Sequence, residues 1–234
     1  MPTAHMMSTQ QREINVTDER ILNWINGDEA PASTLQANLL DAAARAFTTH
    51  GYAAASIDMI AHLIGVTKGS VYYHYRNKAD LFFAVHKKAL IMNLRIQLPV
   101  VSDSSLDPIE KLRRMVYGHA MLMMDYFYYQ RITVQGVELH QSASTTAQER
   151  QDLEQLIAMR DAYEDLFRRV LEEGIEKGAC VDMNVRLAVR AILGALNWIT
   201  VWYQPRETES DNYKKNVAEQ LTRQVLFGVV QPQS

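Results

Sequence analysis

Residues 56–81, SIDMIAHLIGVTKGSVYYHYRNKADL, combine small, cationic and phenolic side chains in a pattern suited to nucleic acid. A short helix that begins at Thr67 would present small and cationic residues at its N-terminus, a suitable approach to base edges and phosphates in a major groove. Phenol and imidazole donors follow at once, and a lysine begins the next helix, where its charge adds to backbone N–H groups aimed at phosphate. The candidate DNA contacts are Ser56, Thr67, Lys68, Gly69, Ser70, Tyr72, Tyr73, His74 and Lys78.

The elements that must hold these side chains follow a helix-turn-helix pattern. Three plausible N-caps, Ser56, Thr67 and Asn77, each begin a short helical unit. Gly65 stands where a chain that turns sharply between two helices needs a positive φ. Apolar residues on both sides of this turn can lock the two helices together. The same pattern would also suit a plain helical bundle with a tyrosine-rich surface.

Residues 34–88 resemble the DNA-binding domain of the TetR family of bacterial repressors. The resemblance is carried by the run GVTKGSVYYHYxNKxDL and by the helix Thr34–His50 before it. It implies a three-helix head that binds double-stranded operator DNA, and it favours DNA binding over the plain bundle. The net charge of the chain is -3, but residues 33–88 hold six Lys/Arg and three Asp, so this segment is locally positive.

The composition predicts an all-α fold. Only ten glycines and six prolines among 234 residues leave little turn chemistry. We expect a flexible N-terminal extension over residues 1–33, with one possible short helix at Asp18–Asn26. A helix-turn-helix domain over 34–88 and a larger helical domain for effector binding and dimerisation over 89–230 should follow. The boundary should lie at Pro99 and the Ser/Asp-rich stretch 102–107. Beyond a first helix that starts near Thr34 and stops at Gly51, the patterns predict helices over 78–97, 108–129, 132–140, 146–176, 184–203 and 211–229.

The helix predicted over 184–203 is apolar on two faces, so it must be covered on both sides. One face can pack on its own domain. The other, together with the apolar stripe of the last helix, is left for a second copy of the chain, which predicts a homodimer. A buried interior helix of a monomer is the alternative. The first stripe holds Leu187, Ala191, Gly194, Trp198 and Trp202, the second Ala188, Ile192, Ala195, Ile199 and Tyr203, and the last helix adds Tyr213, Val217, Leu221 and Val225.

The helix predicted over 108–129 carries methionines and aromatics on one stripe that His119 interrupts. Such rows form ordinary core, but adaptable methionines beside tyrosine hydroxyls also suit a flexible apolar ligand with a polar head. Arg160 falls on the apolar stripe of its own helix, where it either extends to solvent or faces an anionic ligand. The candidate effector-binding residues are His119, Met123, Tyr126, Phe127, Arg160, Trp198 and Trp202.

The C-terminal stretch GIEKGACVDMNVRLAVRAILGALNWITVWYQP is similar to the effector domain of a TetR branch that controls fatty acid, steroid or aromatic acid breakdown in response to CoA thioesters. Its most specific element is NWxxxWYxP, from Asn197 to Pro205. The resemblance implies a small-molecule effector of the acyl-CoA type. A repressor of drug efflux that senses lipophilic compounds has the same architecture and remains the alternative. Cationic partners for CoA phosphates would come from Arg113, Arg114, Arg131 and Arg160.

Signals for catalysis are poor, so we expect a regulator, with a helical enzyme as the alternative from a different class. The seven histidines form no HExxH motif and no i,i+4 metal pair, and we expect no metal or cofactor. A single cysteine, Cys180, rules out an intramolecular disulfide framework. The N-terminal residues lack the apolar region of a secretory signal, and the apolar stretches contain charges, so we expect a cytoplasmic protein without a membrane span.

Overall fold

The computed structural model describes residues 17–28, 33–134, 146–206 and 208–230, and in these ranges the chain is built from α-helices. This confirms the all-α prediction. The helices are α1 (17–27), α2 (Thr34–Ala54), α3 (Ile57–Leu63), α4 (Lys68–His74), α5 (Lys78–Ser102), α6 (Pro108–Asp125), α7 (127–134), α8 (Ala147–Glu176), α9 (Val185–Asn197), α10 (Ile199–Trp202) and α11 (Asp211–Val229).

Local side-chain chemistry fixes where most of these helices begin. At each of seven starts, the side chain of the residue before the helix accepts the backbone N–H three residues later, which satisfies one of the donors that a helix N-terminus leaves free. The predicted caps of α3, α4 and α5 are among them. The seven capping residues are Ser33, Ser56, Thr67, Asn77, Asp107, Thr146 and Asn184.

The helix-turn-helix turn has the predicted backbone. Gly65 has φ +68°, the left-handed conformation that allows α3 to end and the chain to reverse toward α4. The helices α2, α3, α4 and the first half of α5 enclose one apolar core, which we call the head core. Its centre is formed by Leu39, Phe47, Ile60, Val71 and Leu81, with Phe47 packed edge-on against Phe82 at 5.1 Å between ring centroids.

A second and larger core, which we call the effector core, is enclosed by the second half of α5 with α6, α8, α9 and α11. Helix α5 lies along α8, while α11 covers α6. Large side chains from four helices meet at its centre: Leu94, Met115, Met123, Phe167 and Leu196.

The predicted stop at Gly51 appears as a break inside α2, where Gly51 has φ +77°. Three other helix boundaries differ from the sequence prediction. Helix α5 does not end at residue 97 but continues through Pro99 to Ser102, so its predicted end is wrong, and the chain turns at Asp103, within the predicted stretch 102–107. Pro99 lacks only its own N–H bond to the carbonyl four residues earlier, so one bond of the helix ladder is lost. The predicted helix 108–129 breaks at Tyr126, and the helix 184–203 breaks at Trp198. The prediction for 132–140 lies partly outside the described residues.

The N-terminal segment also differs from its prediction as a flexible extension, as far as residues 17–28 are concerned. Helix α1 buries Ile21 and Ile25 in the effector core. Asp18 pairs with Arg169 of α8 at 2.8 Å, and Asp28 pairs with Lys88 of α5 at 2.6 Å. Helix α1 therefore ties α5 to α8 with both apolar and charged contacts. The remainder of the predicted extension up to residue 32 lies outside the described residues.

One segment of the described chain, Val185–Trp202, is long and apolar enough to cross a membrane by length and composition alone. It contains Arg186 and Arg190, it is broken by a turn at Trp198, and its buried residues contribute to the effector core. Charged side chains inside a membrane span are costly in lipid. The segment is therefore interpreted as the helices α9 and α10, which pack with one side on the effector core.

The docking of α1 predicts different free energies of unfolding for alanine substitutions at two neighbouring residues. Ile21→Ala removes a side chain with 0% exposure and should lower the free energy of unfolding by about 2–5 kcal/mol. The control Leu22→Ala removes a side chain that is 45% exposed and should change it by less than about 0.5 kcal/mol. Denaturant unfolding of the two variants measures the difference. Equal effects would contradict the docking of α1.

Candidate functional site

The N-terminus of α4 is an exposed platform of small side chains. Thr67 Oγ1 accepts the backbone N–H of Ser70 at 3.2 Å, and the two hydroxyls lie 2.9 Å apart. A Cβ placed on Gly69 would meet only the Thr67 hydroxyl, at 3.7 Å, so the backbone here is open to a close approach. These groups leave room for a DNA edge in front of the helix terminus, the arrangement that the sequence predicted.

Lys68 is held by a partner that the sequence analysis did not include. Its Nζ lies 2.7 Å from Asp58 Oδ2 on α3 and 6.0 Å from the centroid of the Tyr72 ring. The hydrogen bond to Asp58 raises the pKa of Lys68. Both side chains of the pair are exposed, so a phosphate or base acceptor can compete for the ammonium. The spacing of ten residues has no helical period, so no local pattern could have indicated this pair.

The aromatic residues that follow face outward. Tyr73 is 86% exposed, and Tyr72 is also exposed. His74 stacks edge-on against Tyr73, with 5.1 Å between ring centroids. A large aromatic side chain that is this exposed on a small domain is typical of an interaction surface. Their exposure thus keeps both tyrosines as candidate DNA contacts.

Lys78 and Ser56 have structural partners inside the head. Lys78 Nζ donates to the carbonyl oxygens of Tyr52 at 2.8 Å, Ala55 at 3.0 Å and Ala53 at 3.3 Å, and lies 4.5 Å from the Tyr52 ring centroid. The three donors of the ammonium are thereby used. This arrangement argues against the predicted phosphate contact of Lys78 and favours a positioning role, in which it joins the end of α2 to the start of α5. Ser56 caps α3.

A buried polar chain crosses the effector core around His119. Asn197 Oδ1 lies 3.1 Å from Nε2 and Tyr163 Oη lies 2.5 Å from Nδ1, while Gln97 donates to Tyr163 at 3.2 Å and to the Met115 carbonyl at 3.0 Å. Burial lowers the pKa of His119 to about 4, so the ring is neutral at physiological pH. Nε2 then donates to Asn197, and Nδ1 accepts from Tyr163.

This chain joins four helices, because Gln97, His119, Tyr163 and Asn197 belong to α5, α6, α8 and α9. Both ring nitrogens of His119 and both amide hydrogens of Gln97 are used within it, and burial raises the pKa of Tyr163, which keeps its phenol protonated. The predicted effector residue His119 therefore acts as a connector between helices. Histidine on an apolar stripe was visible in the sequence, but its two partners on other helices, Tyr163 and Asn197, were not.

The structure gathers some of the predicted effector residues and separates others. Met123 and Phe127 are buried in the effector core with His119. Tyr126 is exposed at the break between α6 and α7, and Arg160 extends to solvent near Asp161. Trp198 and Trp202 are 61% and 45% exposed on the outer surface. The described structure thus does not bring the two tryptophans together with Met123 and Phe127.

The arginines proposed to meet CoA phosphates do not converge either. Arg113 and Arg114 both bind Glu110, at 2.6 Å each, and these hydrogen bonds lower the pKa of Glu110 to about 2. Arg131 lies instead over the ring of Phe127, with 5.8 Å between the guanidinium carbon and the ring centroid. Of the four candidates, Arg131 is the one in contact with a predicted effector residue.

A groove of about 390 Å³ lies between α8 and α9 on the outside of the effector core. Its three carboxylates and three guanidiniums balance each other, and Arg168 is already paired with Asp165 and with Glu172. Carboxylates in such a lining repel an anionic ligand, so we do not assign the CoA phosphates to it. The lining residues are Asp161, Glu164, Asp165, Arg168, Arg186, Val189 and Arg190.

The head is attached to the effector core by a second joint besides α5. Tyr129 of α7 donates to Asp41 Oδ1 at 2.7 Å, and burial raises the pKa of Tyr129, which keeps it a donor. Thr48 donates to the carbonyl of Tyr128 at 2.9 Å, and the guanidinium of Arg45 lies 4.6 Å from the Tyr128 ring centroid. The three α2 partners are spaced i, i+4 and i+7, so α7 docks along one face of α2.

Family models and known proteins agree with this architecture. Residues 39–85 match the model "Bacterial regulatory proteins, tetR family", and residues 105–229 match "Tetracyclin repressor-like, C-terminal domain". "Probable HTH-type transcriptional regulator ArpR" of Pseudomonas putida is 33% identical over 85 residues, which is 36% of this chain and 40% of that protein. This match therefore spans less than half of the relative's length.

Two further similarities extend over most of the chain. "Fatty acid metabolism regulator protein" of Bacillus subtilis (strain 168) is 25% identical over 166 residues, covering 70% of this chain and 81% of that protein. The solved structure of AibR in complex with isovaleryl coenzyme A and operator DNA has a TM-score of 0.62 at 23% identity, covering 81% of this chain and 95% of that one. The latter likeness concerns the fold.

The contacts of the head predict different consequences for Tyr73 and Lys78. Tyr73→Ala should lower operator affinity by about tenfold or more and change the free energy of unfolding by less than about 0.5 kcal/mol, since the side chain has little to stabilise in the free protein. Lys78→Met should lower the free energy of unfolding by about 2 kcal/mol, because three carbonyls lose a charged donor. Chemical unfolding and fluorescence anisotropy with operator DNA separate the two effects.

The exposed Lys177→Met serves as the control for loss of a lysine charge. If Lys78→Met unfolds like wild type but binds operator poorly, the lysine contacts phosphate and the positioning role is wrong. A Tyr73→Ala variant with unchanged operator affinity would remove Tyr73 from the DNA interface.

Proposed function

Since the chain belongs to the tetR family of bacterial regulatory proteins, we propose that it is a homodimeric repressor that an acyl-CoA or related CoA thioester releases from its operator. This family is one of DNA-binding transcriptional regulators rather than of enzymes. Such a regulator acts where the bacterial chromosome lies, in the cytoplasm.

The observation that carries the DNA-binding part is the exposed surface of α4. Its open N-terminus and the outward Tyr73 leave the predicted reading residues free for a major groove. The lysine of this surface is only weakly engaged by Asp58, so it can exchange that partner for DNA. We therefore assign base or phosphate contacts to Thr67, Lys68, Gly69, Ser70, Tyr72 and Tyr73, with His74 supporting Tyr73.

Homodimerisation is supported by the exposed apolar side chains of α9, α10 and α11. The predicted stripe of α9 remains open in the single chain, and a Cβ on Gly194 would meet nothing within 4 Å. Exposed apolar surface this extensive on a soluble chain indicates a partner. The exposed residues are Leu187, Ala191, Ala195, Trp198, Val201, Trp202, Tyr213 and Phe227. We accordingly reinterpret Trp198 and Trp202 as interface residues.

The effector part of the proposal places the acyl chain beside Met123 and Phe127 in the effector core. Methionine and aromatic side chains adapt to a flexible apolar chain. The sequence resemblance to the CoA-thioester branch supports this ligand class, and the similar Bacillus subtilis protein is named for fatty acid metabolism. AibR, which shares the fold, has been solved with isovaleryl coenzyme A and operator DNA.

The two joints of the head suggest how an effector would act. A dimer reads two half-sites whose centres are about 34 Å apart on one side of B-DNA. Movement of α5 or α7 by an effector would change the spacing of the two heads. The effector shifts this equilibrium only by its difference in affinity between the two states, typically worth about 1–3 kcal/mol.

A second candidate function, release by uncharged lipophilic drugs from an efflux operator, is favoured by one observation. His119 is neutral, and Glu110 offsets one of the two charges of Arg113 and Arg114, so these three candidate polar contacts offer little free positive charge to an anion. An apolar drug would be accepted by the same methionine and aromatic side chains.

The proposed interface predicts the oligomeric state of a charged variant. Ala191→Glu would bury an unpaired carboxylate between two α9 helices, and the dimer should dissociate to monomers or aggregate. Ala147→Glu places the same charge on an exposed residue at the start of α8 and should leave the dimer intact. Analytical ultracentrifugation at micromolar concentration measures both. A wild-type monomer, or a dimeric Ala191→Glu variant, would contradict the interface.

The effector class is tested by release from DNA. Operator complexes should dissociate with acyl-CoA at about micromolar concentration and be stable to a panel of uncharged lipophilic drugs, as measured by fluorescence anisotropy. Met123→Ala should raise the acyl-CoA concentration needed, because the apolar contact with the chain is reduced. Release by the drugs, together with indifference to CoA thioesters, would favour the efflux regulator.

A further inference from the structure

Helix α7 has two faces with different surroundings. Tyr129 and Ile132 belong to the head core. Phe127 belongs to the effector core. Gln130 and Arg131 follow Phe127 at i+3 and i+4, so these three side chains lie on one face of the helix. One face of α7 therefore belongs to the joint with the head, and the other is directed toward the effector core.

The face of α7 directed toward the effector core, which we call the inner face, carries buried polar atoms without hydrogen-bond partners. Gln130 has 0% exposure, and neither its Nε2 nor its Oε1 has a hydrogen-bond partner. The Nε of Arg131 is likewise buried and unpartnered. Each such group costs about 1–3 kcal/mol of desolvation that no hydrogen bond offsets. The contrast with the His119 chain is direct, since there both ring nitrogens have partners.

We propose that Phe127, Gln130 and Arg131 form the subsite for the polar end of the effector. Arg131 supplies a guanidinium for an anionic oxygen, either a carboxylate or a phosphate. The Gln130 amide donates to a neighbouring carbonyl of the ligand or accepts an N–H from it. Phe127 separates this polar subsite from the apolar side chains that contact the acyl chain. The inference rests on the proposed function, a repressor that responds to an effector.

The position of the subsite supplies a route to the head. A ligand bound to Gln130 and Arg131 contacts the same two turns of helix whose other face holds Asp41 and Thr48 through Tyr129 and Tyr128. A rotation of α7 that improves the ligand's hydrogen bonds would strain these joint contacts. Ligand affinity and head position are thus coupled through one short element, without a separate relay.

The experiment compares direct ligand binding with stability in the full-length protein without DNA. The probes are palmitoyl-CoA, palmitate and coenzyme A alone, measured by isothermal titration calorimetry. Gln130→Leu should weaken binding of the probe that the wild type recognises by about tenfold or more, while its melting temperature is equal to or above that of wild type. A residue that only supports the fold cannot lose affinity and gain stability together.

Arg131→Met keeps an apolar side chain over Phe127 and should weaken binding of the anionic probe by a similar factor. The control Gln148→Leu removes an exposed glutamine of α8 and should bind like wild type. If Gln130→Leu does not fold, Gln130→Met replaces it with a more flexible side chain. Recognition of palmitate identifies a carboxylate at Arg131, and recognition of palmitoyl-CoA alone identifies a phosphate.

Two results would overturn the subsite. One is wild-type affinity in both Gln130→Leu and Arg131→Met, and the other is failure of the wild-type protein to bind any of the three probes. Operator affinity is measured separately on the same preparations. Neither result therefore bears on DNA binding. If the wild type binds the probes but does not bind operator DNA, the proposed repressor function is contradicted and the subsite is retained.

Discussion

The structure depends on one helix being shared by two apolar cores. Leu81, Val85 and Ala89 of α5 are buried in the head core, and Leu90 and Leu94 are buried in the effector core. The transition falls between the consecutive residues Ala89 and Leu90, so no flexible linker separates the head core from the effector core. Because protein interiors are close-packed, a shift of the effector core around Leu94 is transmitted to the head as a rigid displacement. Helix α5 is about 37 Å long, so a tilt of a few degrees moves its end by ångströms.

A second constraint decides what kind of displacement is possible. The head is held by α5 and also by α7, whose Tyr129 and Tyr128 engage Asp41 and Thr48 of α2. Two attachment points oppose simple sliding of the head over the effector core. Helix α1 and the residue after it add a restraint beside the transition between the two cores, because Asp28 pairs with Lys88 of α5 and Asp18 pairs with Arg169 of α8.

Local chemistry explains which features the sequence could predict. Caps such as Thr67 and the left-handed turn at Gly65 involve neighbours within a few residues, so they were readable along with the helix-turn-helix arrangement. Contacts between distant helices were not. His119 was visible as a break in an apolar stripe, but its connector role depends on Tyr163 and Asn197. The docking of α1 depends on Arg169, and polarity alone suggested a free extension. Periodicity marked Trp198 as apolar without showing that it faces outward.

The distribution of satisfied and unsatisfied polar groups separates framework from recognition. The chain around His119 is closed, so a ligand that entered it would break existing hydrogen bonds for each one it made, and little affinity could result. Gln130 offers the opposite balance, since a ligand that reaches it gains hydrogen bonds without breaking any. A buried group of this kind lowers the stability of the free protein, and the ligand recovers that free energy on binding. Polar specificity in the effector core is therefore expected on α7, next to the joint that it must control.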